Sequence, residues 1–149
     1  MFDLDAPIIP GESAGGFYIG QPIDKILTAR KPLKVRQLEP KFNKLYFDSF
    51  TISEEDECVI EIFVDKDYRG RLKGQIGIGS TLFEVQEKLG PIIENQSDSL
   101  IVKDFPGFCF DTEAWDIKDG ESFGTINDNL DKKIKWMGVY KKDLDEYDR

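Results

Sequence analysis

The chain has 149 residues, the size of one ordinary domain, and its 40% hydrophobic and 12% aromatic content is enough to fill a core. Its 29 acidic and 20 basic residues give a formal charge of -9, which opposes direct binding to nucleic acid or to an anionic membrane. It has no histidine, which excludes Ser-His and Cys-His nucleophile systems and removes the commonest neutral metal ligand.

Residues 1–15 read as irregular, punctuated by Pro7, Pro10, Gly11 and Gly15, with Ile8 and Ile9 as an anchor. A first short helix follows. Pro22 suits its first position, and Ile23, Ile26 and Leu27 make its apolar face. Residues 28–44 carry Arg30, Lys31, Lys34, Arg36, Lys41 and Lys44 against Glu39 alone, and Pro32 and Pro40 oppose helix. That segment reads as a basic, partly extended connection: a solvated loop, or a surface for a phosphate or an acidic partner. Residues 44–52 read as one strand, with Leu45, Phe47 and Ser49 on one side. The acidic turn Ser53–Glu57 joins it to the clearest strand, Cys58–Val64, as a hairpin. Asp65 to Gly74 reads as a polar turn region.

The strongest local signal comes next. Leu82, Val85 and Leu89 fall on one helical face. Ser80 or Thr81 supplies the cap, and Thr81 with Glu84 makes a capping box. Gly90 and Pro91 end the helix. So short a helix does not hold alone in water and has to lie on something. Ile92–Ile93, Leu100–Val102 and Phe108–Phe110 read as short strands, with turns at Asn95–Ser99 and Pro106–Gly107. From Asp111 to Asp131 seven acidic residues oppose Lys118 alone, with Trp115, Phe123 and Ile126 set among them. Ile134, Trp136, Val139 and Tyr140 form a last strand, with Met137–Gly138 as a step in its alternation. Residues from Asp143 onward read as a polar tail. Cys58 and Cys109 lie in strands and are expected as buried free thiols, a bridge being the alternative.

The residues Ile19 to Ile26 match Ile78 to Val85 position for position, 59 residues apart (78 minus 19). Each copy has an Ile-Gly lead-in and apolar residues at the same two helical positions, which predicts an internal duplication. The fold class is therefore α+β, with short helices packed on one face of an antiparallel sheet. The chain is expected to be a single compact domain over 1–149, with repeat halves at 16–65 and 74–142.

No constellation for catalysis accompanies this scaffold. Gly74-x-x-Gly77-x-Gly79 precedes a helix but lacks the third glycine of a dinucleotide fingerprint and the Lys-Ser/Thr of a phosphate loop, so its glycines are read as turn residues. The pairs Asp65–Asp67 and Asp111–Glu113 suit a divalent cation or acid-base work, yet neither has supporting ligands. No enzyme activity, cofactor or metal is expected. Acidic groups steer a basic partner and aromatic residues anchor interfaces. Asp111, Glu113, Trp115, Asp116, Asp119, Glu121, Phe123 and Asp128 are accordingly the candidate partner-binding residues. The alternative is that Trp115 and Phe123 only pin the loop to the core.

The two Ile-Gly-x-x-apolar-x-x-apolar units resemble small repeat folds in which a helix is followed by antiparallel strands, as in the outer-membrane assembly lipoprotein BamE and the tandem-repeat β-lactamase inhibitor protein. The order of later strands, with Leu100–Val102, Phe108–Phe110 and Lys135–Tyr140, resembles the small acidic bacterial immunity proteins of the contact-dependent inhibition type. That resemblance implies a binding protein that neutralises a cognate basic toxin domain, a nuclease, by occluding its active site, with no catalytic residues to carry over. The alternatives are a non-catalytic structural or regulatory protein-binding module and a small-ligand-binding protein. No apolar run approaches the roughly 20 residues of a membrane helix, and the first 20 residues do not read as a signal peptide. The expected location is the cytoplasm, with no membrane or nucleic-acid partner.

Overall fold

A computed structural model describes residues 2–94, 99–113 and 125–142. The first described elements are a two-stranded ribbon, β1 (Ser13–Ala14) with β2 (Phe17–Tyr18), and a helix, α1 (Ile23–Ala29). Four strands follow: β3 (Lys34–Glu39), β4 (Phe42–Tyr46), β5 (Phe50–Glu55) and β6 (Cys58–Val64). A second helix, α2 (Leu82–Lys88), then precedes β7 (Ile92–Glu94), β8 (Leu100–Val102), β9 (Phe108–Thr112) and β10 (Ile134–Tyr140). These eight strands form one sheet in the order β3-β4-β5-β6-β10-β9-β8-β7, antiparallel throughout. The chain adopts the α+β class read from its sequence.

Each helix leads into a four-stranded meander, and the two meanders meet where β6 pairs with β10, Val64 opposite Met137 and Glu61 opposite Tyr140. The same three backbone bonds tie each helix start to its own last strand. In the first unit the N–H of Gly20 donates to Val59, Val59 to Gln21, and Ile23 to Glu57, at 2.7, 2.9 and 2.8 Å. In the second, Gly79 donates to Ile134, Ile134 to Ser80, and Leu82 to Lys132, at 3.0, 2.8 and 3.0 Å. Gly20 and Gly79 both take φ 92°, a left-handed conformation that side-chain-bearing residues rarely adopt.

The second helix is built as its sequence predicts. The Thr81 hydroxyl accepts the N–H of Glu84 at 3.2 Å, and the Glu84 carboxylate accepts the N–H of Thr81 at 3.1 Å. Ser80 does another job, accepting the N–H of Gly77 at 3.0 Å. Leu82, Val85 and Leu89 are buried. Thr81→Ala removes one half of the box and is expected to lower folding stability by about 1 kcal/mol, read from urea unfolding. The first helix differs from expectation. Pro22 is its cap residue, one position before the helix, and Leu27 is 41% exposed while Ile23 and Ile26 are buried. At about 100° per residue Leu27 falls on the flank of the stripe made by Ile23 and Ile26 and meets solvent.

Five further expectations are corrected. The basic connection at 28–44 contains the whole of β3 and the start of β4. The single strand expected over 44–52 is two strands, because Ser49 takes φ 73° and Phe47 donates its N–H to Phe50 across a tight turn. Cys58 is exposed, at the end of a hairpin turned by Asp56 and Glu57 at positive φ; Cys109 is buried, and neither forms a disulfide. The irregularity in β10 falls between Ile134 and Trp136 rather than at Met137–Gly138. Asp65–Gly74, read as a polar turn, contributes Tyr68 and Leu72 to the core. Tyr68 pins the N-terminal segment: its hydroxyl accepts the N–H of Gly15 at 2.8 Å and donates to the carbonyl of Ala6.

One face of the sheet carries the main core. Leu45, Ile52, Ile62, Val139 and Phe108 form one row across it, and Phe50, Val64, Met137, Phe110 and Leu100 form the next. Ile23, Ile26, Leu82, Val85 and Leu89 of the helix regions belong to the same cluster. No helix among the described residues is long and apolar enough to cross a membrane.

Candidate binding groove

The opposite face of the sheet is set by the same pleat, since alternate side chains point to opposite sides. Lys34, Tyr46, Thr51, Phe63, Gly138 and Cys109 make one row across it. Trp136 lies one pleat further along β10, directly opposite Asp111. Ile101, Cys109 and Tyr140 form a small buried cluster here, with Phe63 and Trp136 half-buried against it.

Gly138 creates the groove. A Cβ at that position would lie 2.1 Å from the Phe63 ring, so the missing side chain is what lets that ring settle on the neighbouring strand. Trp136 then meets Phe63 edge-on, with centroids 5.4 Å apart and planes at 86°. Lys44 holds its ammonium 5.7 Å from the Tyr46 ring centre and 5.6 Å from that of Phe63, and Lys34 reaches Tyr46 at 5.7 Å. Such cation–π contacts contribute about 0.5–1 kcal/mol each at exposed sites. The result is an open groove of about 410 Å³, lined chiefly by Lys44, Tyr46, Phe63, Asp65, Lys135 and Trp136.

Asp65 is the unusual member of that lining. Its Oδ1 is buried without a hydrogen-bond partner among the described residues. Burial, then the neighbouring Asp67, push its carboxyl above the ordinary carboxylate range, against a smaller opposing effect of Lys66. A carboxyl raised in the folded state binds its proton more tightly there than in the unfolded chain. Its stabilising contribution is present below the ordinary carboxylate pKa and is lost as pH rises through the raised value. Asp65→Asn removes the charge and keeps the shape. It is expected to be more stable than the parent at pH 7, with the difference shrinking as pH falls below the carboxylate range, as followed by urea unfolding across pH.

Of the partner-binding candidates, Asp111 lies on the groove face, half-buried beside Trp136, and also accepts the N–H of Thr112 at 2.8 Å. Glu113 is exposed just past the end of β9. Asp128 has a local structural role: its carboxylate accepts the Thr125 hydroxyl at 2.8 Å and its N–H donates to that hydroxyl at 3.2 Å, bracing the 3-10 turn Asn127–Asn129. Trp115, Asp116, Asp119, Glu121 and Phe123 lie outside the described residues. Tyr46, Phe63 and Trp136 do not stand out as a group in the sequence. Their signal was a glycine two residues after a tryptophan inside an otherwise apolar strand, which marks a close approach by a neighbour. Of the two carboxylate pairs, Asp67 accepts the Ser49 hydroxyl at 3.1 Å, and no three potential metal ligands come together among the described residues.

No protein-family model matches the chain, and no curated protein matches its sequence. Among solved structures the chain is similar to the uncharacterized protein yfeY from Escherichia coli, with a TM-score of 0.62 and 10% identity over 89% of this chain and 99% of that one. It is also similar to a cysteine-rich secretory protein from Staphylococcus aureus, with a TM-score of 0.49 and 16% identity over 95% of this chain and 50% of that one. The first of these likenesses places the chain among α+β folds of the yfeY type. It speaks to fold alone.

Proposed function

We propose that the protein is a toxin-neutralising immunity protein, a non-catalytic binder that captures a basic toxin domain, a nuclease, and occludes its active site. The observation that carries this is the half-buried Trp136–Phe63 pair in an open groove, with Asp111 directly opposite Trp136. Partly exposed aromatic residues beside a carboxylate are the side-chain types that anchor an interface and pair with cationic groups. The charge of -9 supplies a long-range attraction for a basic partner. Its location on this reading is the cytoplasm, where it meets an incoming toxin.

The test is the association rate with a basic nuclease toxin domain encoded in the same genomic neighbourhood. Replacing Asp111, Glu113, Asp116, Asp119 and Glu121 by their amides is expected to slow association by about tenfold or more at low salt, with a shallower salt dependence. An unchanged rate and an unchanged salt slope would remove the acidic segment from the account. A second reading, small-ligand binding, is favoured by the groove volume and its aromatic lining, on which a planar anionic molecule would stack beside Lys44 and Lys135.

A further inference from the structure

Among the described residues β3 is an outer strand of the sheet, paired with β4 on one side only. All six of its residues are exposed. Lys34 and Arg36 sit opposite Tyr46 and Lys44 and so share the groove face, while Val35 sits opposite Leu45 and points the other way. Val35 is 54% exposed, and Leu33 and Leu38 beside it are 76% and 43% exposed. The ion pairs among the described residues, Lys41 with Asp56 and Arg69 with Asp5, involve neither Lys34 nor Arg36. The edge therefore offers unpaired backbone groups, two cations on one face and exposed apolar side chains on and beside it. The opposite edge of the sheet, β7, is only three residues long.

We propose that β3 is a docking edge for an extended segment of a partner protein, one with acidic residues at alternate positions and apolar residues between them. Such a segment adds a ninth strand to the eight-stranded sheet. Its backbone pairs with the free side of β3, its carboxylates face Lys34 and Arg36, and its apolar residues cover Val35. Cross-strand pairs of opposite charge stabilise this register, and like charges oppose it. That argues against a second copy of this chain as the occupant, because two β3 edges side by side bring Lys34 and Arg36 close to their own counterparts. This surface lies on a different strand from Asp111, so its test is independent of the immunity reading.

The test uses the full chain and a fluorescent peptide about eight residues long, with Glu alternating with Val or Ile, followed by anisotropy. Two further versions carry N-methyl groups, each blocking one backbone edge of the peptide. The parent peptide is expected to bind, and one methylated version to lose about tenfold or more in affinity. Lys34→Glu with Arg36→Glu is expected to weaken the parent peptide by a similar factor, and a peptide with Lys in place of Glu is expected not to bind. Binding of both methylated versions as tightly as the parent would overturn strand addition and leave charge attraction alone. Absence of binding by the parent peptide, or indifference to the charge reversal at β3, would also overturn the proposal.

Discussion

Phe50→Ala is expected to cost about 3–5 kcal/mol of folding stability, a large share of the roughly 5–15 kcal/mol that holds a domain of this kind. Phe50 opens β5 and is 2% exposed. Its ring stacks on Phe47 at 4.6 Å and on Phe2 at 4.0 Å, and it meets Phe17 at 5.6 Å. The β4–β5 turn, β2 and the N-terminal segment therefore converge on one side chain. Removing it opens a cavity whose walls come from separated parts of the chain and cannot close together easily. Phe50→Leu keeps most of the volume and is expected to cost much less. Urea unfolding of the two variants gives the comparison. A loss under about 1 kcal/mol for the alanine variant would mean that the N-terminal segment docks without this ring.

Trp136→Ala is expected to weaken partner binding by about 30-fold to 1,000-fold, the range for a central aromatic anchor worth about 2–4 kcal/mol. Phe63→Ala is expected to act in the same direction. Because the two rings touch, the double variant should lose less than the sum of the single effects. Both side chains are half-buried, so the folding cost is smaller than for Phe50, and unfolding curves separate lost binding from lost structure. Ile93→Ala, on β7 at the far edge of the sheet, serves as the control and is expected to leave affinity unchanged.

Elements whose signals are local were readable in the sequence. The capping box at Thr81 and Glu84, the helix stop at Gly90 and the hairpin into Cys58–Val64 depend on neighbouring residues, and the structure contains them. The boundary between β4 and β5 was hidden because a turn through Asp48 and Ser49 uses a positive φ at serine, a residue that does not announce it. β3 was hidden by its charge: an outer strand exposed on both faces has no apolar alternation to betray it. The central pairing of β6 with β10 joins residues more than 70 positions apart, such as Val64 and Met137, and no local pattern encodes it. The matched backbone bonds at Gly20 and Gly79 show that the two Ile-Gly units share one local geometry. The groove was illegible for the same reason as the central pairing, since Tyr46, Phe63 and Trp136 come together only from three strands that are not consecutive in the chain.

The most direct test of the immunity account is a titration of the nuclease activity of a basic toxin domain, encoded in the same genomic neighbourhood, with this protein and with its Trp136→Ala, Phe63→Ala variant side by side. The account predicts that activity falls to the background near one equivalent of the parent protein, and that the variant needs a large excess to do the same. Full nuclease activity at excess parent protein, or equal inhibition by the parent and the variant, would contradict it.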